Sequence, residues 1–385
     1  MKMKMPFYNA YKNNIITNII NKSLISLPTP NNLSFMWNFG SIMGLFLLIQ
    51  IISGLMLTMH YCPNENLAFY SIIHILKDID KGWLLRNIHM NGASFYFLIM
   101  YMHIGRNIYY MCYSSNKTWN IGVTILILSM ATAFMGYILP WGQMSFWGAT
   151  VITNLLSAIP YMGTTIVEWI WGGFAINNAT LNRFFTFHFI MPFIILFFVL
   201  MHLLFLHING SNNPLGINDK NMKIPFHPYY SIKDLLGFMI ILLIFFYFIY
   251  QNPYFFSDPD NFIEANSMNT PIHIKPEWYF LFAYSILRTI SNKLGGVIAL
   301  LMSLLILFIM PLMLNNQLKT NKFYFMNQMY FWFFINNFML LTWLGIQPIE
   351  YPFKSLSYIF TMTYFSFYIL NPILFKLWDK MIFNK

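Results

Sequence analysis

Four histidines lie on two hydrophobic segments of this 385-residue chain at one shared interval. His89 and His103 are 14 residues apart, and so are His188 and His202. On an α-helix this interval rises about 21 Å and falls about 40° short of four full turns, so both members of a pair face the same way. Two facing helices would then offer two bis-imidazole sites at two depths of a bilayer. The spacing predicts two six-coordinate haems about 20 Å apart.

The pairing of these ligands depends on how the two helices run. We expect antiparallel helices to pair His89 with His188 and His103 with His202, and parallel helices to give the crossed pairing. Taken singly, a histidine on an apolar helix is more often an interior polar group with a hydrogen-bond partner. Four histidines at one spacing favour haem ligation.

Glycines repeat the interval on two further segments. Gly40 and Gly54 are 14 residues apart on the first hydrophobic segment, as are Gly122 and Gly136 on the third. A flat macrocycle can approach a backbone closely where side chains are missing. Each glycine alone would also suit ordinary helix packing. Their shared spacing with the histidines predicts that these four positions make room for the haems.

The composition indicates a membrane protein. Hydrophobic residues make up 58% of the chain and charged residues 9%, with a mean hydropathy of +0.55, whereas about a quarter of a typical soluble domain is charged. Eight runs are long enough to cross about 30 Å of hydrocarbon: 39–61, 88–110, 119–139, 184–207, 235–250, 294–314, 323–344 and 355–377. We predict an all-α, polytopic membrane protein with eight transmembrane helices, the first four forming a bundle around two stacked b-type haems.

The loop charges give an orientation. The side that carries both termini collects 14 of the 22 cations and only three of the 12 acids. The positive-inside rule places that side toward the cytoplasm or its equivalent. The net charge of +10 then reflects topology and attraction to anionic membrane lipid, and no nucleic-acid motif accompanies it. The polar first 35 residues show no signal-peptide pattern, so we expect the spans themselves to direct insertion.

The two cysteines exclude other cofactors. Cys62 follows the first span and Cys112 the second, so we expect them at opposite faces, too far apart for a disulfide. The sequence has no C-x-x-C-H motif for covalently attached haem and no cysteine cluster for an iron–sulfur or structural zinc site. Haem must therefore be bound without covalent attachment, by histidine.

Two arginines flank one histidine pair. Arg86 lies three residues before His89, and Arg106 lies three residues after His103. Each falls on roughly the ligand's helix face, one turn nearer the membrane boundary. A buried haem propionate needs a cation or several donors, so these arginines are candidate propionate partners. Arg86 alone could equally be a boundary arginine that extends toward the headgroups.

Two further groups could handle protons. Glu277 lies between a proline and aromatic residues in the loop after the fifth span, where it could accept a proton from a membrane-borne substrate, or could simply stabilise a helix start. His207, Lys233 and Asp234 lie near the opposite boundary. They could bind a polar ring and supply protons to it, or they could be solvated loop ends.

Five stretches connect these residues to a known family. They are Trp37–Ser41 (WNFGS), Arg86–Ser94 (RNIHMNGAS), Pro140–Thr150 (PWGQMSFWGAT), Gly210–Pro214 (GSNNP) and Pro276–Tyr279 (PEWY). From about residue 37 to its end the chain resembles mitochondrial cytochrome b, the membrane core of ubiquinol:cytochrome c oxidoreductase. The resemblance implies that His89 and His188 ligate an outer, low-potential haem b and that His103 and His202 ligate an inner, high-potential one, which favours the antiparallel arrangement.

The resemblance also implies two quinone pockets. The quinol-oxidising pocket would be lined by Tyr137, Gly148, Pro276, Glu277, Tyr279 and Tyr284. The quinone-reducing pocket would use Asn38, Ser41, His207, Ser211, Lys233 and Asp234. Of these twelve residues, the resemblance assigns catalytic roles to Glu277, Tyr279, Tyr137, His207 and Asp234.

The implied mechanism is a bifurcated oxidation of ubiquinol at the outer pocket. One electron goes to a Rieske iron–sulfur protein and then to a c-type cytochrome subunit, and the other crosses the membrane to reduce ubiquinone at the inner pocket. The chain would work in a multi-subunit, homodimeric complex of the mitochondrial inner membrane, with both termini on the matrix side. Residues 1–215 would hold the haems and residues 216–385 would complete the quinone pockets.

Two positions depart from the family pattern. Ser291 replaces a proline that many relatives have before the sixth span, and Ile208 stands where some relatives carry an acid. Without the resemblance, a proton-coupled transporter or a structural assembly subunit would remain alternatives. The sequence shows neither the inverted repeats nor the broken helices of many transporters, and an assembly subunit would not need paired histidines.

Overall fold

The computed structural model describes residues 14–217, 220–313 and 316–383 and has an almost entirely helical fold. Its α-helices in the first half are α1 (Ile15–Ile20), α2 (Phe39–Thr58), α3 (Ala68–Lys77), α4 (Gly82–Tyr109), α5 (Asn116–Ile138), α6 (Gln143–Asn154), α7 (Gly163–Trp171) and α8 (Asn178–Asn209). Those of the second half are α9 (Tyr229–Gln251), α10 (Leu281–Thr289), α11 (Lys293–Leu305), α12 (Phe325–Leu344) and α13 (Phe353–Phe383).

Short elements join these helices. A π-helical turn covers Asn21–Ile25, and 3-10 turns cover Phe35–Asn38, Cys112–Ser114, Leu155–Ala158, Lys220–Met222, Pro259–Phe262, Trp278–Phe280, Ile306–Met313 and Asn321–Phe323. Strands β1 (Pro28–Pro30) and β2 (Lys223–Pro225) pair antiparallel. This small sheet ties the segment before α2 to the segment before α9.

Eight long helical segments correspond in order to the eight predicted spans, and the all-helical membrane fold is confirmed. Six of them are both long and apolar enough to cross a membrane: Phe35–Thr58, Asn116–Ile138, Asn178–Asn209, Tyr229–Gln251, Lys293–Met313 and Phe353–Phe383. The other two are α4, with 28 residues, and α12, with 20. At 1.5 Å per residue they are about 42 Å and about 30 Å long, enough to cross the hydrocarbon, but polar side chains lower their apolar character.

Those polar side chains are buried and hydrogen-bonded inside the protein. The Asn91 amide on α4 donates to the carbonyls of Asn87, at 3.0 Å, and Pro253, at 2.9 Å. On α12, the Asn327 amide donates to the Asn371 side-chain oxygen at 2.8 Å. In hydrocarbon a polar group needs an internal partner, so these contacts explain how two helices of lower apolarity fit among the spans.

The first four spans pack as two helix pairs. The α2 helix packs along α4, and α5 packs along α8. In the second half, α10 lies against α11, α12 and α13, and α12 packs along α13. Only four side chains of α8 are buried, and Phe187, Phe197 and Leu204 are among its exposed ones. An apolar helix with such an exposed surface suits contact with lipid or another membrane helix.

The two long loops after α5 and α9 meet at one end of the bundle. Gln143 accepts a hydrogen bond from the Asn266 N–H at 2.7 Å, and its own N–H donates to the Ile263 carbonyl at 2.9 Å. The Asn261 side-chain oxygen accepts from both the N–H and the hydroxyl of Ser145. Two spans separate these loops in an alternating chain, which also places them at the same face.

The side of the termini remains a prediction. The charges counted for that side include Lys2, Lys4, Lys12, Asp219 and Lys385, which lie outside the described residues.

Candidate functional site: paired histidines and two proton-active pockets

Each candidate glycine lies against one candidate histidine. A Cβ atom added at Gly40 would lie 3.4 Å from Cε1 of His103, one at Gly54 3.1 Å from His89, one at Gly122 3.2 Å from His202 and one at Gly136 2.3 Å from His188. The glycines of α2 therefore make room for the histidine rings of α4, and the glycines of α5 make room for those of α8. The missing side chains admit the imidazole rings; room for a macrocycle stays a prediction.

The outer pair has the geometry of two ligands on one metal ion. The ring centroids of His89 and His188 are 6.1 Å apart, and the rings are perpendicular, at 89°. A metal-bound imidazole nitrogen lies about 2 Å from the metal, and roughly 1 Å from its own ring centre, so trans ligands on one iron need centroids roughly 6 to 6.5 Å apart. The observed separation fits one iron between the rings.

The hydrogen bonds of these rings leave one nitrogen free in each. Nδ1 of His188 donates to the Thr132 carbonyl at 2.8 Å. Nδ1 of His89 lies 2.9 Å from the Ser53 hydroxyl, which itself donates to the Ile49 carbonyl at 2.6 Å and so accepts from Nδ1. With Nδ1 protonated in both rings, Nε2 carries the lone pair that a metal needs.

The inner pair is held differently. The Arg106 guanidinium lies 3.3 Å from Nδ1 of His103 and 4.8 Å from the centre of the Trp37 ring. His202 lies close enough to His103 for their charges to interact. Nδ1 of His202 is buried, and its approach to the Thr118 backbone falls outside ordinary hydrogen-bond geometry. Thr118 precedes Thr132 by the same 14 residues that separate the ligands.

The expected direction of the ligand helices is wrong. His89 and His188 each belong to the first part of their helix, so α4 and α8 pair their ligands while running in the same direction. The predicted pairing is observed for the outer ligands, but antiparallel helices would have given the crossed one. The sequence alone could have predicted this parallel arrangement. Successive spans cross the membrane in alternate directions, so the second and fourth spans run the same way.

Two cavities flank the outer pair. One has a volume of about 300 Å³ and the other about 120 Å³. Both are lined by Gln50, Ile72, Arg86, His89, Gly136, Pro140, His188 and Pro192. Cavities on both sides of an imidazole pair, with a glycine at the wall, form a slot that suits a flat group. Arg86 faces the larger cavity, where Glu277 and Tyr137 are its electrostatic neighbours.

A buried donor without a partner also fits an anionic acceptor beside the inner pair. Within the described part of the chain, Nε of Arg106 has no hydrogen-bond partner. A buried guanidinium next to a ligand imidazole, without a carboxylate, is costly unless an anion completes the site. The residues present therefore fit a haem with its propionates near the arginines.

Five of the six residues predicted for the outer pocket share one small cavity. It measures about 20 Å³. Tyr137, Gly148, Pro276, Glu277 and Tyr284 all line it, together with Ile274 and Phe280. Tyr279 lies apart from it, lining the 300 Å³ cavity and stacking on Phe97 with ring centres 4.3 Å apart. A quinone ring needs more than 20 Å³, so the pocket must widen to admit one.

Glu277 lines both the 300 Å³ cavity and the 20 Å³ pocket, so it lies between them. Burial raises the pKa of this carboxyl to about 8, with a contribution from the charge of Asp258, while Arg86, Lys275 and the Tyr137 hydroxyl oppose the rise. Lys275 forms an ion pair of 3.0 Å with Asp258. A carboxyl that titrates near neutral pH can take up and release a proton during turnover.

Four of the six residues predicted for the inner pocket come together. The Asn38 amide at the start of α2 donates to the Lys233 carbonyl at 2.8 Å. The Ser41 hydroxyl donates to the Asn38 carbonyl at 2.9 Å and lies close enough to Asp234 to influence it. The Lys233 ammonium, however, donates to the Leu33 carbonyl at 2.6 Å. His207 lies in the last turn of α8 and Ser211 just beyond it, and no hydrogen bond between described residues joins either to the group of four.

Several residues that support the site were not predicted from the sequence. The Gln50 amide donates to the His89 carbonyl at 2.9 Å, and a Cβ atom at Gly92 would lie 2.3 Å from it. Trp37 and Gln143 were noted only as parts of motifs, yet one stacks on Arg106 and the other fastens the two long loops. Their partners are distant in sequence, so no local spacing reveals them.

Comparisons with known proteins agree with this architecture. Residues 24–210 match the family model "Cytochrome b/b6/petB", and residues 264–365 match "Cytochrome b(C-terminal)/b6/petD". The chain is 65% identical over 378 residues to "Cytochrome b" of Apis mellifera ligustica, covering 98% of each. A solved chain described as "Hyperthermophilic respiratory Complex III" superposes with a TM-score of 0.90 at 33% identity, over 96% of this chain and 99% of that one. From the family models, the relative and the fold together, the chain belongs to the cytochrome b family.

Proposed function

We propose that this chain is the electron-transferring and catalytic membrane subunit of a ubiquinol:cytochrome c oxidoreductase. Transmembrane electron transfer is the function of its family. The observation that carries the proposal is the facing pair His89 and His188. The separation of their rings suits one iron between them, and the hydrogen bonds at Nδ1 leave Nε2 of each ring available as a ligand. When bound, two b-type haems supply a one-electron path between the two faces of the membrane.

The ligand sets follow from the helix pairs. His89 and His188 would hold the outer haem, with Gly54 and Gly136 giving the rings space. His103 and His202 would hold the inner haem, with Gly40 and Gly122 in the same role. Arg86, which lines the slot beside the outer pair, and Arg106, which lies against His103 of the inner pair, would neutralise propionates.

At the outer pocket the chain's own residues bind ubiquinol and take a proton. Glu277 is half-buried between the pocket and the Arg86 side of the larger cavity, so it can accept a hydroxyl proton on one side and release it on the other. Tyr137 lines the same pocket and lies close enough to interact with this carboxyl. Pro276, Gly148 and Tyr284 shape the wall, and Tyr279 packs behind them.

At the inner pocket, Asp234 and Ser41 offer a carboxyl and a hydroxyl from two helices. Asn38 fixes the start of α9 by its bond to the Lys233 carbonyl. His207 and Ser211 would join them around the quinone, and Lys233 would have to leave the Leu33 carbonyl to contact it. This arrangement would deliver protons to reduced quinone from the side that carries the termini.

The chain contains no ligand set for an iron–sulfur cluster or a c-type haem, so its activity needs partners. We infer that a Rieske iron–sulfur protein and a c-type cytochrome subunit complete a homodimeric complex in the mitochondrial inner membrane, with both termini in the matrix. Residues 1–215 form the haem-binding part and residues 216–385 complete the quinone pockets. The helix pairs α2 with α4 and α5 with α8 support that division, because all four ligands and their glycines lie on them.

The direct test is cytochrome c reduction by a ubiquinol analogue in the purified complex. The proposal requires quinol-dependent reduction that stops when either pocket is blocked. A complex that contains this chain and its haems but reduces cytochrome c independently of quinol would contradict it.

A further inference from the structure

Tyr284, which lines the outer pocket, is backed by an arginine that has no assigned role. Arg288 follows it by one turn of α10, and its guanidinium carbon lies 5.0 Å from the centre of the Tyr284 ring. Residues four apart lie on one face of a helix, and a guanidinium at this distance from an aromatic ring makes a cation–π contact. The arginine thus lies against the tyrosine, outside the set of residues that line the pocket.

The other side of Arg288 is fastened to the end of α12. Its two terminal nitrogens donate to the carbonyls of Gln347, at 2.7 Å, Leu344, at 3.3 Å, and Gly345, at 3.4 Å. The Leu344 and Gly345 carbonyls lie at the negative end of the α12 dipole, which favours a cation, and Gln347 belongs to the turn that follows the helix. No carboxylate in the described part of the chain forms an ion pair with Arg288, so its only charge-stabilising neighbours are these carbonyls and the ring.

The junction between α10 and α12 is tight. A Cβ atom at Gly345 would lie 2.5 Å from the Leu281 carbonyl oxygen. A backbone approach this close shows that the two helix ends are tightly packed. Arg288 is therefore attached to a closely packed part of the second half of the chain.

Tyr284 is also bonded to the loop that carries Glu277. Its hydroxyl donates to the Ile274 carbonyl at 3.2 Å. Ile274 lies three residues before Glu277, and both line the 20 Å³ pocket. Tyr284 thus contacts Arg288 through its ring and the loop through its hydroxyl. Together these contacts hold α10 next to the segment from Ile274 to Glu277.

We propose that Arg288 is a positioning residue for quinol oxidation: it holds the Tyr284 ring against the end of α12 and so sets the wall of the outer pocket. The inference rests on the proposed function of that pocket. Arg288 itself does not touch the substrate. Its loss should weaken quinol binding while the haems and the inner pocket keep their properties.

The test is a double-mutant cycle in the whole complex, with Arg288→Met, Tyr284→Leu and the double variant. Arg288→Met keeps the apolar stem and removes the guanidinium. A lost cation–π contact corresponds to about a 2- to 30-fold rise in the quinol KM, with haem spectrum and inner-pocket quinone reduction unchanged. With Tyr284 already replaced by leucine, removing the guanidinium should raise the KM no further.

Two variants separate positioning from general stability. Thr289→Val breaks the 3.1 Å hydrogen bond to Thr361 on α13 without touching Tyr284, so its quinol KM should stay at the wild-type value. Arg288→Lys keeps the charge and bonds to carbonyls but not the flat stacking group, and its KM should fall between wild type and Arg288→Met. It also replaces Arg288→Met if that variant does not assemble.

The outcomes are distinct. An equal KM rise from Arg288→Met with and without the Tyr284 ring would show that the arginine only caps α12 and would overturn the inference. So would a wild-type KM in Arg288→Met. A wild-type complex without any quinol-driven haem reduction would instead overturn the proposed function.

Discussion

The sharpest prediction concerns Gly136, because an added methyl group there meets the ring of His188, the proposed haem ligand, directly. Its Cβ would lie 2.3 Å from Cε1, 2.8 Å from Nδ1 and 2.9 Å from Nε2 of His188. Ordinary carbon contacts begin near 3.5 Å. The ring must therefore move by about 1 Å, and its Nδ1 hydrogen bond to the Thr132 carbonyl, now 2.8 Å, cannot survive unchanged.

The cost can be worked from two terms. Overpacking a close-packed site costs about 1 to 3 kcal/mol, and a lost hydrogen bond adds about 1 kcal/mol. A total of about 2 to 4 kcal/mol corresponds to roughly 30-fold to nearly 1000-fold weaker retention of the outer haem. Gly136→Ala should therefore yield protein with one low-spin haem lost or converted to high spin, and Gly136→Val should be worse.

The other glycines supply a graded series of controls. The same added atom lies at 3.1 Å from its histidine in Gly54→Ala, 3.2 Å in Gly122→Ala and 3.4 Å in Gly40→Ala. At Gly44, also on α2, nothing lies within 4 Å. The haem-to-protein ratio and the reduced-minus-oxidised spectrum of each variant should follow this order, with Gly44→Ala like wild type. A wild-type spectrum in Gly136→Ala, or a larger loss in Gly40→Ala, would refute the reasoning.

Three further predictions concern the ligands and the two pockets. Replacing His202 with leucine removes one axial bond, so the inner haem should be lost or become high-spin; two low-spin haems in the purified variant would exclude His202 as a ligand. Glu277→Gln keeps the size of the side chain but removes a base with a pKa of about 8. Because that carboxyl is protonated below about pH 8 and becomes a proton acceptor above it, wild-type quinol oxidation should speed up as the pH rises through this range. The variant should be slower, by about 10²- to 10⁴-fold if Glu277 is the sole acceptor, and should lose that pH dependence, whereas an unchanged rate and profile would leave Glu277 as a helix-start carboxylate. Asp234→Asn should slow quinone reduction at the inner pocket by about tenfold or more and leave quinol-driven reduction of the outer haem unaffected; equal slowing at both pockets would argue against its assignment.

Spacing in the sequence was enough to predict the centre of the molecule. The 14-residue interval follows from helix geometry alone, and the structure turns it into four glycine–histidine contacts. The pair formed by His89 and His188 could be predicted because each ligand lies near the start of its own helix. What failed was the inferred helix direction, although eight alternating spans determine it.

Other features depend on contacts that the sequence does not display. The network between Gln143 and the residues near Asn266 joins loops more than 100 positions apart. Arg288 carries no motif, and only the arrangement of α10 and α12 brings it to the carbonyl of Gln347. The sequence predicts α4 and α12 as spans, but it does not display the distant partners that their buried asparagines find. Long-range packing, with little local signature, decides all three.

The central claim is that four histidines hold two haems in this one chain. The most direct measurement is the haem content of the purified complex, combined with its reduced-minus-oxidised visible spectrum and that of the His89→Leu and His103→Leu variants. We expect two low-spin b-type haems for each copy of the chain, with a different one lost or perturbed in each variant. A single haem in the wild type, or the same spectral change in both variants, would contradict the assignment of the four histidines to two separate sites.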